Sequence, residues 1–302
     1  MRLRCAVIDD YQAVARECAD WTSLTGVECT FIHERFDDED ELIAGLVDFE
    51  IVVVTRERTT FSSSVFARLP NLRLLVTSGL RNAAVDAVSA REHGIPVVGT
   101  HSRTEPPAEL TWALIFALSR HLPAETRNLR NGGPWQSTLG TDLNGATLGL
   151  IGLGRIGAQV ARVGQAFGMD VMAWSQNLTD ERCGEVGVRR AVQKADLLAR
   201  SDVVSLHLVL SDRSRHTIGR ADLAAMKPTA HLINTSRSGL IDTAELHSAL
   251  RSNAIAGAGL DVFDTEPLPF DDPIRTLPNV VATPHLGYVT RNNYATYFVE
   301  DL

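Results

Sequence analysis

Three glycines at a fixed spacing carry the first chemistry in this sequence. Gly152-Leu153-Gly154-Arg155-Ile156-Gly157 reads G-x-G-x-x-G, after the apolar run Thr147-Leu148-Gly149-Leu150-Ile151 and before helix-like spacing from Ala158 to Phe167. In that setting the first glycine permits a tight turn. The second lets backbone approach a pyrophosphate, and the third lets helix pack closely on strand. The helix N-terminus offers unpaired N–H groups and a positive dipole end to the anion. The spacing therefore predicts a dinucleotide site with Gly152, Gly154, Arg155, Ile156 and Gly157 at the phosphates. A carboxylate about 20 residues further on usually reads the ribose. Here Ser175, Gln176 and Asn177 stand there instead. No carboxylate repels a 2′-phosphate and no arginine directly there welcomes one, so NAD and NADP both stay open. Arg182 in the following loop is a further candidate for the site, weakened by Glu181 beside it.

The elements that must hold such a loop are legible around it. Cys5-Ala6-Val7-Ile8, Ile51-Val52-Val53-Val54, Leu72 to Val76 and Ile95 to Val98 read as strands, the last an edge or a strand start because of Pro96. Glu39 to Leu46 and Ser63 to Leu69 carry helical spacing between them. A second series runs through Thr147–Ile151, Asp170–Trp174, Asp202–His207, His231–Asn234, Gly257–Asp261 and Val280–Ala282. Strand–helix alternation implies α/β architecture with parallel sheets covered on both faces, and six strands suit a doubly wound dinucleotide fold. Pro106-Pro107 precede a long apolar helix predicted over Glu109 to His121, which joins the two series.

Composition narrows the classes. With 302 residues there is room for two cores. A net charge of −8 argues against a nucleic-acid surface or anionic lipid as partner, yet leaves room for an anionic substrate held by a few arginines. Cys5, Cys18, Cys29 and Cys183 form no CxxC and have no histidine at zinc spacing, so neither a metal nor a disulfide framework is expected. The apolar run after Arg2 and Arg4 stops at Asp9-Asp10, short of a signal h-region, and the segment near Trp112 to Leu118 is too short to span a bilayer. The expectation is a cytoplasmic protein without membrane contact.

Four separated motifs give a resemblance. They are the glycine loop in its setting from Thr147, Asn234-Thr235-Ser236-Arg237-Ser238-Gly239-Leu240-Ile241-Asp242, Gly259 to Leu268, and Thr283-Pro284-His285-Leu286-Gly287. Together they resemble the D-isomer-specific 2-hydroxyacid dehydrogenase family, whose relatives include phosphoglycerate dehydrogenase, hydroxypyruvate/glyoxylate reductase and formate dehydrogenase. The resemblance implies two doubly wound domains: a Rossmann cofactor domain, 102–283, inserted into a flavodoxin-like substrate domain, 1–101 plus 284–302. It implies an active site in a cleft closed by a hinge, and a homodimer formed through the cofactor domain. NAD is slightly favoured as coenzyme on the family pattern.

The resemblance also assigns roles. Reduction of a keto acid needs a hydride on carbon and a proton on oxygen. His285 is the expected general acid, since imidazole exchanges protons near neutral pH. Glu266 holds the ring and stabilises its protonated form. Arg237 anchors the substrate carboxylate and polarises the carbonyl. Thr235 and Asp261 join the cofactor contacts, Asp261 at the nicotinamide end. In the loop Thr77 to Asp86, backbone N–H groups at Ser78, Gly79, Leu80 and Arg81 are expected to receive the substrate carboxylate. Arg81 replaces a second glycine and either reads a further anionic group or faces solvent; Arg56 and Arg58 are weaker candidates for the same cleft. Ser238 replaces a glycine after Arg237. The stop at Glu300-Asp301-Leu302 implies a shorter closing helix than relatives carry. The substrate reading is a small 2-keto or 2-hydroxy acid. A dinucleotide sensor or corepressor on the same fold is the alternative. A formate dehydrogenase is a weaker third reading, because formate oxidation needs no proton relay.

Overall fold

The computed structural model describes residues 2–301; the outermost residues of the expected substrate domain, Met1 and Leu302, lie outside the described residues. By contacts the chain divides into two compact units. One holds the residues up to Arg103 and those from Tyr288 onward, the other Thr104–Gly287. The sequence put the crossings at 101/102 and 283/284. The contacts carry Pro284 to Gly287 with the second unit because Asp261 binds Leu286 and Gly287, whereas Tyr288 packs in a cluster with Cys5 and Val7.

The first unit has a five-stranded sheet made of β1 (Leu3–Val7), β2 (Val27–Phe31), β3 (Ile51–Val54), β4 (Leu74–Thr77) and β5 (Val97–Gly99). Its order is β2-β1-β3-β4-β5, all pairs parallel, the flavodoxin-like arrangement. Alternate residues feed two cores. Ala6, Ile8, Val52, Val54 and Leu75 enter one, and Cys5, Val7, Val53 and Val76 the other. That is the period-2 burial of a sheet covered on both faces. The Pro96 segment lies at an edge, as its proline requires.

The second unit has seven parallel strands: β6 (Thr147–Ile151), β7 (Asp170–Trp174), β8 (Arg189–Arg190), β9 (Val203–Leu206), β10 (His231–Asn234), β11 (Gly257–Leu260) and β12 (Val280–Ala282). Their order, β12-β11-β10-β9-β6-β7-β8, is the doubly wound dinucleotide order extended by one edge strand. It reverses direction between β6 and β9, the switch point where such sheets bind ligands. Leu148, Leu150, Val171, Ala173 and Val203 pack on one face; Ile151, Met172, Val204, Leu206 and Leu232 pack on the other.

Three local differences from the sequence reading have physical causes. The apolar helix runs Glu105–Ser119, so the prolines lie inside its first turn, where no N–H is needed for an intrahelical bond. It stops before His121, which turns left-handed and caps a separate helix, Leu122–Arg130. Strand β2 is an edge strand with half-exposed side chains. Strand β8 is only Arg189-Arg190, which carries no apolar signal.

Candidate active site

The glycine loop lies where the doubly wound order reverses. Gly152 has φ +104°, and a Cβ there would meet the His207 carbonyl oxygen at 2.5 Å. A Cβ on Gly157 would collide with the Gly152 carbonyl. Gly154 meets nothing within 4 Å, so the space a Cβ would fill is open at the residue where a pyrophosphate must approach. Gly154 caps the helix Arg155–Ala166 with no side-chain hydrogen bond and no acidic residue in the first turn. These features fit a dinucleotide phosphate, whose oxygens would meet the helix N–H groups. Arg155 is exposed and Ile156 half-buried. Past β7, Ser175 is half-buried and Gln176 exposed. Arg182 donates from Nε to the Leu153 carbonyl at 3.1 Å, so it does reach the loop.

His285 and Glu266 meet. His285 Nδ1 lies 2.6 Å from Glu266 Oε2, and Glu266 Oε1 accepts from the Phe263 N–H at 2.9 Å. The two side chains are 17% and 33% exposed, sheltered enough to fix the pair and open enough to reach a ligand. His285 has φ +52°, a left-handed backbone that a non-glycine residue keeps only when its surroundings enforce it. The enforcing group is Asp261, whose side chain is fully buried. Its Oδ1 accepts from Thr283 Oγ1 and Leu286 N, each at 2.7 Å, and its Oδ2 from Gly287 N at 2.8 Å. Burial raises the Asp261 pKa, while those three donors and His285 oppose the rise.

Arg237 follows β10, one strand from β11 and two from β12, so Arg237, Asp261 and His285 all stand at the carboxyl ends of three adjacent strands. Buried Asn234 shapes its turn, accepting from Ser236 N at 3.0 Å and donating to Arg237 O at 2.9 Å. Arg237 Nη1 donates to Ser236 O at 2.7 Å. Thr235 is buried, its hydroxyl 2.8 Å from that of Thr111.

The first unit carries the loop from Ser78 to Arg81. Two expected donors are already used: Ser78 N binds Val54 O at 3.0 Å, and Gly79 N binds Thr100 Oγ1 at 3.1 Å. Leu80 and Arg81 are exposed. Arg56 lies against this loop, donating from Nη1 to Ser78 O at 3.3 Å. Gly79 has φ +93°, and a Cβ there would collide with the Arg56 guanidinium. The sequence ranked Arg56 below Arg81; the fold puts Arg56 on the loop and Arg81 in solvent. Arg58 is held away from the loop, by Tyr288 OH at 2.8 Å, Tyr294 OH at 2.9 Å and the Asp9 carbonyl.

Sequence reasoning passed over two ionisable groups with a buried polar atom, Asp9 and the half-buried His207. Asp9, at the end of β1, is pushed up to about 6 by burial, against hydrogen bonding from Thr59 and the charge of Arg58. His207, just past β9 and beneath Gly152, is pushed down to about 4 by burial. No local spacing marks either one, because each is enclosed by residues distant in the chain. Among the described residues no group of three or more possible metal ligands occurs, and no helix is long and apolar enough to cross a membrane.

Residues 112–287 match the family profile described as D-isomer specific 2-hydroxyacid dehydrogenase, NAD binding domain. The chain is 40% identical to a glyoxylate reductase of Aeropyrum pernix over 75% of its own length and 70% of that protein. It is 37% identical to a D-3-phosphoglycerate dehydrogenase of Methanocaldococcus jannaschii over 83% of its length; the chain spans about half of that relative, 48%. The crystal structure of a phosphoglycerate oxidoreductase from Vibrio cholerae superimposes with a TM-score of 0.93 at 39% identity, covering 99% of this chain and 96% of that one.

Proposed function

The chain belongs to the D-isomer specific 2-hydroxyacid dehydrogenase family, and from that premise we propose that it moves a hydride between NAD(P) and a small 2-keto or D-2-hydroxy acid, with His285 and Glu266 as proton relay and Arg237 as substrate anchor. The observation that carries the proposal is the 2.6 Å contact between His285 Nδ1 and Glu266 Oε2. The coenzyme, when bound on the glycine loop, supplies or accepts the hydride. The rest falls to side chains. With Nδ1 committed to Glu266, the ring gives its proton to the carbonyl oxygen from Nε2, and Glu266 stabilises the charge through that exchange. Arg237 pairs with the substrate carboxylate and draws electron density from the carbonyl.

The unit containing β1 to β5 serves as the substrate domain in this reading. Its candidate anion contacts are the N–H groups of Leu80 and Arg81, because those of Ser78 and Gly79 already have acceptors. Arg56 on the same loop favours acids with a second anionic group. The protein works as a homodimer, a reading supported by exposed Leu122, Leu129, Trp135 and Leu139 on one continuous segment of the coenzyme unit.

The test is steady-state oxidation of NADH and NADPH with glyoxylate, hydroxypyruvate and keto acids bearing a phosphate or sulfonate. His285→Ala and Arg237→Ala should each lower kcat by roughly 10²–10⁴-fold, the span of a lost acid or electrostatic group, with coenzyme binding within about twofold of the parent. Arg56→Leu should raise KM for the doubly anionic acids more than for glyoxylate. Tight coenzyme binding without turnover of any acid would reject the enzyme and leave a dinucleotide sensor.

A further inference from the structure

We propose that the adenosine end of this site is built for a 2′-phosphorylated ribose and that Arg182 is the residue that reads the phosphate. The inference rests on the dinucleotide reading of the glycine loop and adds which coenzyme that loop is shaped for. At the end of β7 a carboxylate would bind two ribose hydroxyls and repel a phosphate. Ser175, Gln176 and Asn177 supply none. Strand β7 lies beside β6 in the sheet, so whatever follows β7 borders the loop that follows β6.

Arg182 stands in the helix Asp180–Val186, whose start is capped when Thr179 Oγ1 accepts from Arg182 N at 3.1 Å. Its guanidinium is fastened at two points. Nε donates to the carbonyl of Leu153, the residue between Gly152 and Gly154, at 3.1 Å. Nη1 pairs with Glu185 Oε2 at 2.8 Å. Among the described residues no protein acceptor takes Nη2. A guanidinium oriented on the phosphate loop, with one edge left over, suits the planar two-pronged recognition of phosphate.

The surrounding charges do not cancel it. Asp180 is engaged by Arg190 at 3.2 Å. Glu181 is exposed on the same helix. The Arg182–Glu185 pair is 38% and 56% exposed, and exposed pairs of this kind are weak and salt-screened, so Glu185 yields to a dianion. Arg155, exposed in the first turn of the helix that follows the glycine loop, adds positive charge there.

Binding of nucleotide fragments by calorimetry separates this from its rivals without any turnover. The probes are 5′-AMP, 2′,5′-ADP and 3′,5′-ADP, the last as a control of equal charge. The protein should bind 2′,5′-ADP about tenfold or more tighter than either of the others, the scale of a charge-assisted phosphate contact. Arg182→Leu should erase that preference and leave 5′-AMP within about twofold. Arg182→Lys should keep part of it, and Glu185→Gln should strengthen it. Equal affinity for 2′,5′-ADP and 5′-AMP in the parent protein overturns the proposal. So does an equal loss of all three nucleotides in Arg182→Leu, which would make Arg182 a brace for the Leu153 carbonyl alone. Failure of every fragment to bind would instead reject the dinucleotide reading of the loop.

Discussion

At the scale of single residues, Asp261 decides how the backbone that carries His285 is held. The resemblance placed it at the nicotinamide, but both its oxygens are spent on the chain that carries His285. We regard it as a positioning residue: a buried carboxylate that pins the left-handed turn at His285. Each hydrogen bond to a charged acceptor contributes about 1.5–3 kcal/mol, which is of the size needed to hold a non-glycine residue at φ +52°. Asp261→Asn keeps one acceptor and sets an NH2 group against a backbone donor, so the turn should relax and the ring lose its aim. The expected outcome is a fall in kcat of about 10²-fold, the low end of what a general acid contributes. The Kd for NADH should stay within about twofold, and the pH profile of kcat should broaden. A large loss of NADH affinity with kcat kept would instead return Asp261 to the nicotinamide. The sequence could mark this aspartate by its motif. It could not say which way the carboxyl points, because its donors come from residues 22 to 26 positions later.

At the scale of elements, what was legible depended on whether a segment is buried on one or both faces. The runs at β3, β6, β7 and β10 are apolar because both faces are covered, and they appear in the sequence at their structural positions. Strand β2 keeps only a weak alternation, Val27-Glu28-Cys29-Thr30-Phe31, since one face is exposed. The glycine loop was legible because φ +104° at Gly152 and the crowding at Gly157 leave no alternative residue. The substrate loop was only half legible. Its glycine is required by Arg56, a residue on a different strand end, and the use of the Ser78 and Gly79 N–H groups by Val54 and Thr100 leaves no trace in local spacing. The helix Leu122–Arg130 and the segment after it show the opposite case, apolar residues that the chain itself does not cover. Leu129 is 67% exposed, Trp135 79% and Leu139 92%. None of the helix residues is buried. In the homodimer proposed above, these large apolar side chains are what the second copy would cover. The paired substitution Trp135→Ser and Leu139→Ser should therefore shift the sedimentation coefficient from dimer to monomer without changing the far-ultraviolet circular dichroism. A parent protein that sediments as a monomer at micromolar concentration would remove the homodimer reading.

At the scale of the whole molecule, one group in each unit, Asp9 in the first and His207 in the second, answers to pH in the opposite direction. Asp9 in the first unit has Oδ2 buried without a partner, and its pKa rises to about 6 from 3.8. The folded unit therefore holds the proton more tightly than the unfolded chain. Stability from this group is fully present below about pH 4 and is lost as pH climbs through 6. His207 in the second unit has Nδ1 buried without a partner, and its pKa falls to about 4 from 6.5. There the unfolded chain holds the proton more tightly, so stability is present above about pH 6.5 and is lost as pH falls toward 4. Each shift corresponds to about 3 kcal/mol at full extent. Between pH 4 and 6.5 a global unfolding measurement would see the two nearly cancel, whereas local opening would not. Amide exchange corrected for its intrinsic pH dependence should show β1 and β3 losing protection as pH rises across this window, and β9 and β10 gaining it. Asp9→Asn suits the test, because asparagine tolerates the left-handed backbone that Asp9 adopts at φ +65° and still accepts from Thr59 Oγ1. It should flatten the response of β1 and β3 and leave that of β9 and β10 intact. An Asp9→Asn protein whose β1 amides keep the parent's pH dependence would show that the buried carboxyl is not its source.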